Sequence, residues 1–192
     1  MSLVLTALLA STPAYIHFPP GDLPKYCKES HAIRLLEVAK FDAESGVVLF
    51  DVADTVKGGK VKNAITSFKQ VIDPKAKGVL PIFDWLKKGK KAVLFTIESD
   101  KTGGGCGYVV IDDYWYSVDY NVKGEYWAFL RADPHLSAVY SGDVEKLVPL
   151  VKDLLAGKKV DVPTKKADKV PTKEERFEEV NEGLIKNRGL KK

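Results

Sequence analysis

The fold is decided by residues 32–56, which read AIRLLEVAKFDAESGVVLFDVADTV. Two apolar runs with interspersed charges, Ala32 to Phe41 and Val47 to Val56, flank a short loop that ends at Gly46. This pattern is typical of two half-buried strands joined in an antiparallel hairpin. Gly58 and Gly59 follow, and they predict the end of the second strand.

Shorter apolar runs after this hairpin predict the rest of a β-sheet. They cover residues 63–72, 92–97, 106–111, 114–118 and 126–130. A parallel α/β sheet would need a helix after nearly every strand, and those helices are missing. We therefore predict an α+β protein, mainly antiparallel, in which five to seven strands form a small OB-like barrel.

Helical patterns flank the strands. Asp22 is a good capping residue for a helix at 23–29, and a second short helix is predicted at 79–86. The clearest pattern is 141–156, where apolar residues recur at three- and four-residue steps before Gly157. Its apolar face is expected to pack on the barrel.

The C-terminal region divides into a linker and a charged tail. Residues 158–170 are charged, contain Pro163 and lack periodicity, which indicates a linker. Thr172-Lys173-Glu174-Glu175 has the form of a capping box and predicts a charged helix within 171–192. That helix either docks weakly on the domain or is free for a partner.

The N-terminal residues 1–14 have the pattern of a secretory signal peptide. The apolar run Leu3 to Ala10 precedes small residues at Thr12-Pro13-Ala14. No Lys or Arg precedes the run, so an upstream start or a buried N-terminal strand or helix are the alternatives. No apolar run reaches the roughly 20 residues of a membrane span. We expect an exported chain, periplasmic or extracellular, with its barrel domain at 15–157 and no transmembrane segment.

Charge argues against nucleic acid as the partner. Of the 192 residues, 30 are Lys or Arg and 26 are Asp or Glu, which gives a net charge of +4. Residues 1–157 carry 19 basic and 19 acidic residues, so residues 158–192, with 11 and 7, supply the whole surplus. A domain that binds nucleic acid is expected to carry its own basic surplus. A single-strand binder stays an alternative, and it predicts affinity that collapses with salt.

Cys27 and Cys106 are the only cysteines of the chain. In an exported protein an even number of cysteines favours a disulfide, so we predict a bridge between these two. Such a bridge would close a loop of about 80 residues and stabilise the fold by about 4 kcal/mol. The alternative is two separate buried thiols.

Cys27 and His31 are also candidates for a cofactor site. Cys27-Lys28-Glu29-Ser30-His31 resembles the spacing of a c-type haem attachment site, with Ser30 in place of its second cysteine. On a helix the two residues would share a face, as in a nucleophile–base pair or half a metal site. A haem or metal site needs further ligands, and a nucleophile–base pair needs a third residue that orients the histidine. Neither is apparent nearby in the sequence. We expect no resident cofactor, no metal and no catalytic residues.

Two further groups of residues stand out. Asp112, Asp113 and Asp119 could be a metal or acid–base cluster, but aspartates at strand ends commonly form turns. Aromatic residues crowd 114–129, and alternation places Tyr114 and Tyr116 on one face and Trp115 on the other. One face is expected to be core, and the other exposed or covered by the helix at 141–156. We predict a binding surface at Tyr114, Tyr116 and Trp127, with core packing as the alternative.

The order of these features resembles the netrin-like family. Cys27 precedes the strand that starts near Ala32, Val56-Lys57-Gly58 ends the hairpin, and Gly89-Lys90-Lys91-Ala92 opens a strand before Cys106. Tissue inhibitors of metalloproteinases, procollagen C-proteinase enhancers and complement components contain such modules, as do exported bacterial proteins of the same build. The resemblance covers roughly residues 27–106. It implies an OB-type barrel and binding to proteins, and it implies no active site.

From these observations we expect a non-catalytic binding module at the cell envelope, whose partner is another protein or a glycan. The alternative function is a haem- or metal-bearing redox or hydrolytic protein that uses Cys27 and His31. Substituting His31 would separate the two functions, because only the second depends on that imidazole.

Overall fold

The computed structural model describes residues 21–42, 47–59, 65–70, 89–98, 105–121 and 126–166. Within them the chain forms two α-helices, seven strands and one 3-10 helix. In chain order these are α1 (Leu23–Glu29), β1 (Ala32–Asp42), β2 (Val47–Lys57), β3 (Ile65–Gln70), β4 (Lys91–Glu98), β5 (Gly105–Ile111), β6 (Tyr114–Asn121), β7 (Tyr126–Ala132), the 3-10 helix (Pro134–Ala138) and α2 (Val144–Leu155).

The seven strands close into a barrel in the order β1-β2-β3-β7-β6-β5-β4, and β4 pairs again with β1. An odd number of strands in a ring cannot alternate in direction throughout, so one neighbouring pair has to be parallel. That pair is β3 and β7, joined where Phe68 lies opposite Trp127, and the other pairs are antiparallel. The predicted α+β class and the small, mainly antiparallel barrel are confirmed.

The predicted helix at 23–29 is also confirmed, and the helix predicted at 141–156 is present as Val144–Leu155. Asp22 caps α1, because its carboxylate accepts a hydrogen bond of 3.0 Å from the Lys25 amide. Asp143 caps α2 in the same way, with 2.8 Å to the Glu145 amide. Gly157 follows α2 with a φ of +76°, the left-handed conformation that glycine adopts freely at a helix end.

Several predictions lie outside the described residues: the signal peptide at 1–14, the short helix at 79–86 and the charged helix within 171–192. The described helices include none that is long and apolar enough to cross a bilayer.

Apolar side chains form two clusters, one on each face of the barrel wall. The interior cluster lies inside the barrel and consists of Leu36, Val38, Val48, Phe50, Ala92, Leu94, Val109, Ile111, Tyr116, Val118, Trp127 and Phe129. The outer cluster lies between the helices and the outside of β1, β4, β5 and β6. It contains Leu23, Tyr26, Cys27, Ile33, Val93, Phe95, Tyr108, Val110, Trp115, Leu136, Val139, Tyr140, Val144, Leu147, Val148 and Val151.

Alternation along β6 confirms the predicted division of the aromatic residues. Trp115 belongs to the outer cluster under α2, whereas Tyr116 belongs to the interior cluster. The indole Nε1 of Trp115 donates a hydrogen bond of 3.0 Å to the Tyr140 carbonyl, which satisfies its polar atom in the core.

Residues 158–166, which we call the strap, belong to the predicted linker. They contain no helix or strand, but they lie against the domain. The Ser141 amide donates to the Pro163 carbonyl at 2.8 Å, and the Lys165 amide donates to the Ser137 carbonyl at 3.0 Å. Val162 packs against the outer cluster. The strap is thereby fixed to the connection between β7 and α2.

Candidate functional site

The structure does not bring Cys27 and His31 together. Helix α1 ends at Glu29, so the two side chains do not share a helix face. Cys27 is 2% exposed and packs in the outer cluster, whereas His31 is exposed. The described residues contain no group of three or more His, Cys, Asp or Glu side chains that could hold a metal ion.

Burial raises the pKa of the Cys27 thiol from 9.0 to about 12, with Lys57 acting against this shift and Asp22 adding to it. A thiol reacts with electrophiles and binds metals as the thiolate. At neutral pH Cys27 is therefore a protonated, apolar core residue, and its environment disfavours the thiolate that a nucleophile or a metal ligand requires.

The predicted disulfide is not formed, because the sulfur atoms of Cys27 and Cys106 are not bonded to each other. Tyr108 of β5 contacts α1, because its ring centroid lies 5.9 Å from that of Tyr26. Cys106 lies two residues earlier, which is about 7 Å further along the strand. Cys106 is half-buried and pairs across the sheet with Asp119. Burial raises the pKa of its thiol, and Asp119 adds to that effect.

The three residues of the predicted aromatic surface do not form an exposed patch. Tyr116 is fully buried and Trp127 is 8% exposed, and both belong to the interior cluster. Tyr114 alone of the three is exposed, at 40%. Tyr114 and Tyr116 share a strand face, as predicted, but β6 begins at Tyr114, so that residue lies at the rim of the barrel while Tyr116 lies inside.

The exposed Tyr114 lies beside a tight hairpin turn. Ile111 and Tyr114 are paired across β5 and β6, so Asp112 and Asp113 form a two-residue turn. Asp112 has a φ of +48°, a left-handed conformation that Asp adopts more readily than most residues. The Asp113 carboxylate binds the Lys165 ammonium at 2.5 Å, which joins the turn to the strap.

Asp112, Asp113 and Asp119 do not form a cluster. The first two lie in the turn before β6, whereas Asp119 lies near the opposite end of that strand, beside Cys106. Burial raises the pKa of the Asp119 carboxyl, and the Tyr120 amide lowers it by hydrogen bonding. The turn interpretation of Asp112 and Asp113 is confirmed by the paired residues on both sides.

Two features of the structure were not predicted. Arg34 lies two residues before Leu36 on β1, so the alternation points it towards the barrel interior. The sequence signal for this inward direction is a basic residue at a strand position where the alternation expects an apolar one. The second feature is the docking of the strap, for which Val162 and Pro163 were the available signal, because an apolar residue before proline is typical of an extended segment on a surface.

Comparisons with known proteins give no further assignment. No protein-family model, no curated protein and no solved structure matches this chain.

Proposed function

We propose that this chain is an exported, non-catalytic module that binds another protein at the cell envelope. The observation that carries the proposal is the exposed Tyr114 ring beside the Asp112–Asp113 turn. Tyr114 and Leu155, each 40% exposed, are the large apolar side chains that the described residues leave open to solvent. Tyrosine is enriched among the residues that contribute most to protein–protein binding.

Two contacts fix the turn beside Tyr114. A fixed position favours Tyr114 as a residue that contacts a partner. The backbone pairs Tyr114 with Ile111, and Lys165 binds Asp113 at 2.5 Å. A rigid aromatic side chain loses little conformational entropy when a partner binds, so more of the contact energy appears as affinity. The resemblance to netrin-like modules, many of which bind proteins, supports the same function.

Export is part of the proposal, and the apolar residues 3–10 followed by Thr12-Pro13-Ala14 support it. Mass spectrometry and N-terminal sequencing of the protein from cells that make it would test this part. We expect a mature chain that starts near Tyr15 in the periplasm or the medium. An unprocessed chain confined to the cytoplasm would contradict export.

Photo-crosslinking tests the binding surface. A benzophenone amino acid would be placed at Tyr114 in the full chain, and in a separate protein at Asp51, an exposed residue of β2. We expect illumination of intact cells to give a protease-sensitive adduct of discrete mass from position 114 and none from position 51. An adduct sensitive to glycosidase instead would identify a glycan partner. Equal labelling from both positions, or none from either, would refute the proposed surface.

The alternative function, with a haem or metal at Cys27 and His31, is favoured by no contact among the described residues. It predicts an absorption band or bound metal in the purified protein, and loss of that signal in His31→Ala.

A further inference from the structure

Four inward-facing residues lie at one end of the barrel. Because neighbouring strands are antiparallel along this part of the wall, β1 and β7 begin at the end where β4 and β6 finish. Arg34 is the third residue of β1, and Thr96 is the third from the end of β4. Tyr120 is the last residue but one of β6, and Trp127 is the second residue of β7. All four lie within three residues of this rim, which we call the Arg34 rim.

The side chains of the Arg34 rim point into the barrel. Arg34 pairs with Leu94 of the interior cluster, so both face inward. Thr96 and Tyr120 follow Leu94 and Val118 at two-residue spacing, which places them on the same inner face. Trp127 itself belongs to the interior cluster.

One nitrogen of the Arg34 guanidinium is unpaired within the part of the chain that the structure describes. Its Nε atom is buried and has no hydrogen-bond partner among the described residues. Arg34 as a whole is partly buried, and burying a polar donor without an acceptor is costly. Buried polar groups in proteins are nearly always bonded, so an unpaired guanidinium nitrogen indicates a place for an acceptor that is not part of the chain. Guanidinium groups bind carboxylate and phosphate oxygens best.

The opposite wall of the rim supplies aromatic surface. Tyr120 and Trp127 are in contact, with 5.2 Å between ring centroids and 51° between ring planes. Trp127 is 8% exposed and Tyr120 is partly buried against the interior cluster. Such rings bind apolar and aromatic groups by stacking and edge contacts. The Thr96 hydroxyl donates to the Ala32 carbonyl at 3.2 Å, so its oxygen still has room to accept a hydrogen bond.

We propose that the Arg34 rim is a binding site for a small organic anion, whose carboxylate or phosphate group pairs with Arg34 while its apolar or aromatic body contacts Tyr120 and Trp127. The mouths of β-barrels are common places for such sites, and one charged residue among apolar and aromatic side chains is their usual chemistry. The site is independent of the protein-binding function proposed for Tyr114, which lies at the other end of β6.

Titration calorimetry of the full chain with naphthoate tests the site, with naphthylmethanol as the uncharged counterpart. We expect naphthoate to bind one-to-one and naphthylmethanol to bind more weakly. Arg34→Gln removes the charge and should weaken naphthoate binding about tenfold or more, as expected for one charge-assisted hydrogen bond. Lys40→Gln removes the same charge from an exposed position of the same strand and should leave the affinity unchanged.

A stability measurement separates a ligand site from a structural role. Because a buried donor without an acceptor destabilises the ligand-free protein, Arg34→Met is expected to raise its melting temperature and to abolish the further rise on adding naphthoate. A lower melting temperature of Arg34→Met would show that the guanidinium is structural and would overturn the proposal. Absence of saturable naphthoate binding, or equal affinity in Arg34→Gln, would overturn it too.

Discussion

The ammonium nitrogen of Lys57 lies 2.8 Å from the carbonyl oxygen of Cys27 and 2.8 Å from that of Lys28. The last residue of β2 therefore binds two carbonyls near the C-terminus of α1, at the negative end of the helix dipole. The two stretches on which the netrin-like resemblance partly rests, Cys27 onwards and Val56-Lys57-Gly58, are in direct contact in the fold.

Removing this contact should destabilise the fold. Lys57→Met keeps much of the apolar side chain but loses both hydrogen bonds and the charge, so the free energy of unfolding should fall by about 1–3 kcal/mol. Urea denaturation followed by circular dichroism measures the change. Lys40→Met, at an exposed position, is the control and should change stability by less than about 0.5 kcal/mol. Equal effects of the two substitutions would contradict this account.

Neighbouring glycines after β2 should respond differently to alanine. Gly58 has a φ of +93°, and an added Cβ would lie 2.9 Å from the Cβ of Ala32. Gly58→Ala is therefore expected to cost about 1–3 kcal/mol from backbone strain and crowding together. Gly59 has nothing within 4 Å of that position, so Gly59→Ala should be nearly neutral. Thermal melting of the two variants is the measurement, and similar melting temperatures would refute the assigned backbone conformation.

Two buried tyrosines should respond in opposite directions to loss of the hydroxyl. The hydroxyl of Tyr140 donates to the Asp143 carbonyl at 2.6 Å, so Tyr140→Phe should cost about 1 kcal/mol. The hydroxyl of Tyr116 is buried without a hydrogen-bond partner among the described residues, so Tyr116→Phe should be neutral or stabilising by up to about 1 kcal/mol. Chemical denaturation of both variants tests this. Marked destabilisation by Tyr116→Phe would reveal an acceptor for its hydroxyl.

Alkaline pH should weaken the fold through Cys27. Folding raises the pKa of this thiol from 9.0 to about 12, so the folded state favours the neutral form. The resulting stabilisation is complete below pH 9 and is lost as the pH rises towards 12. Between pH 9 and 11 the free energy of unfolding of the wild type should therefore fall more steeply than that of Cys27→Ala. Urea titrations at several pH values provide the slopes, and parallel slopes would contradict the buried position of the thiol.

The alternation of Trp115 and Tyr116 and the caps at Asp22 and Asp143 could be predicted from sequence, because each depends on residues close in the chain. The disulfide prediction was wrong for the opposite reason. Whether two distant thiols meet depends on where α1 lies along β5, and the packing of Tyr26 against Tyr108 decides that position.

The predicted aromatic surface was wrong for Tyr116 and Trp127, which lie inside the barrel. Strand periodicity assigns Tyr114 and Tyr116 to one face, but it does not show where along that face the barrel begins to enclose the strand. The same limit applies to Arg34, since its inward direction follows from periodicity, whereas its unpaired nitrogen depends on side chains from other strands.

The parallel pairing of β3 and β7 has a consequence for how the chain reaches its native state. Phe68 and Trp127 are opposite each other although they are 59 positions apart in the sequence. The hairpin β1–β2 and the meander β4–β7 use contacts much closer in sequence, so they should form earlier on the folding pathway. The pairing of β1 with β4 is equally distant in sequence, as Arg34 opposite Leu94 shows. Until β3 pairs with β7 and β1 with β4, these strands expose unpaired edges, and in that interval the nascent barrel is vulnerable to self-association.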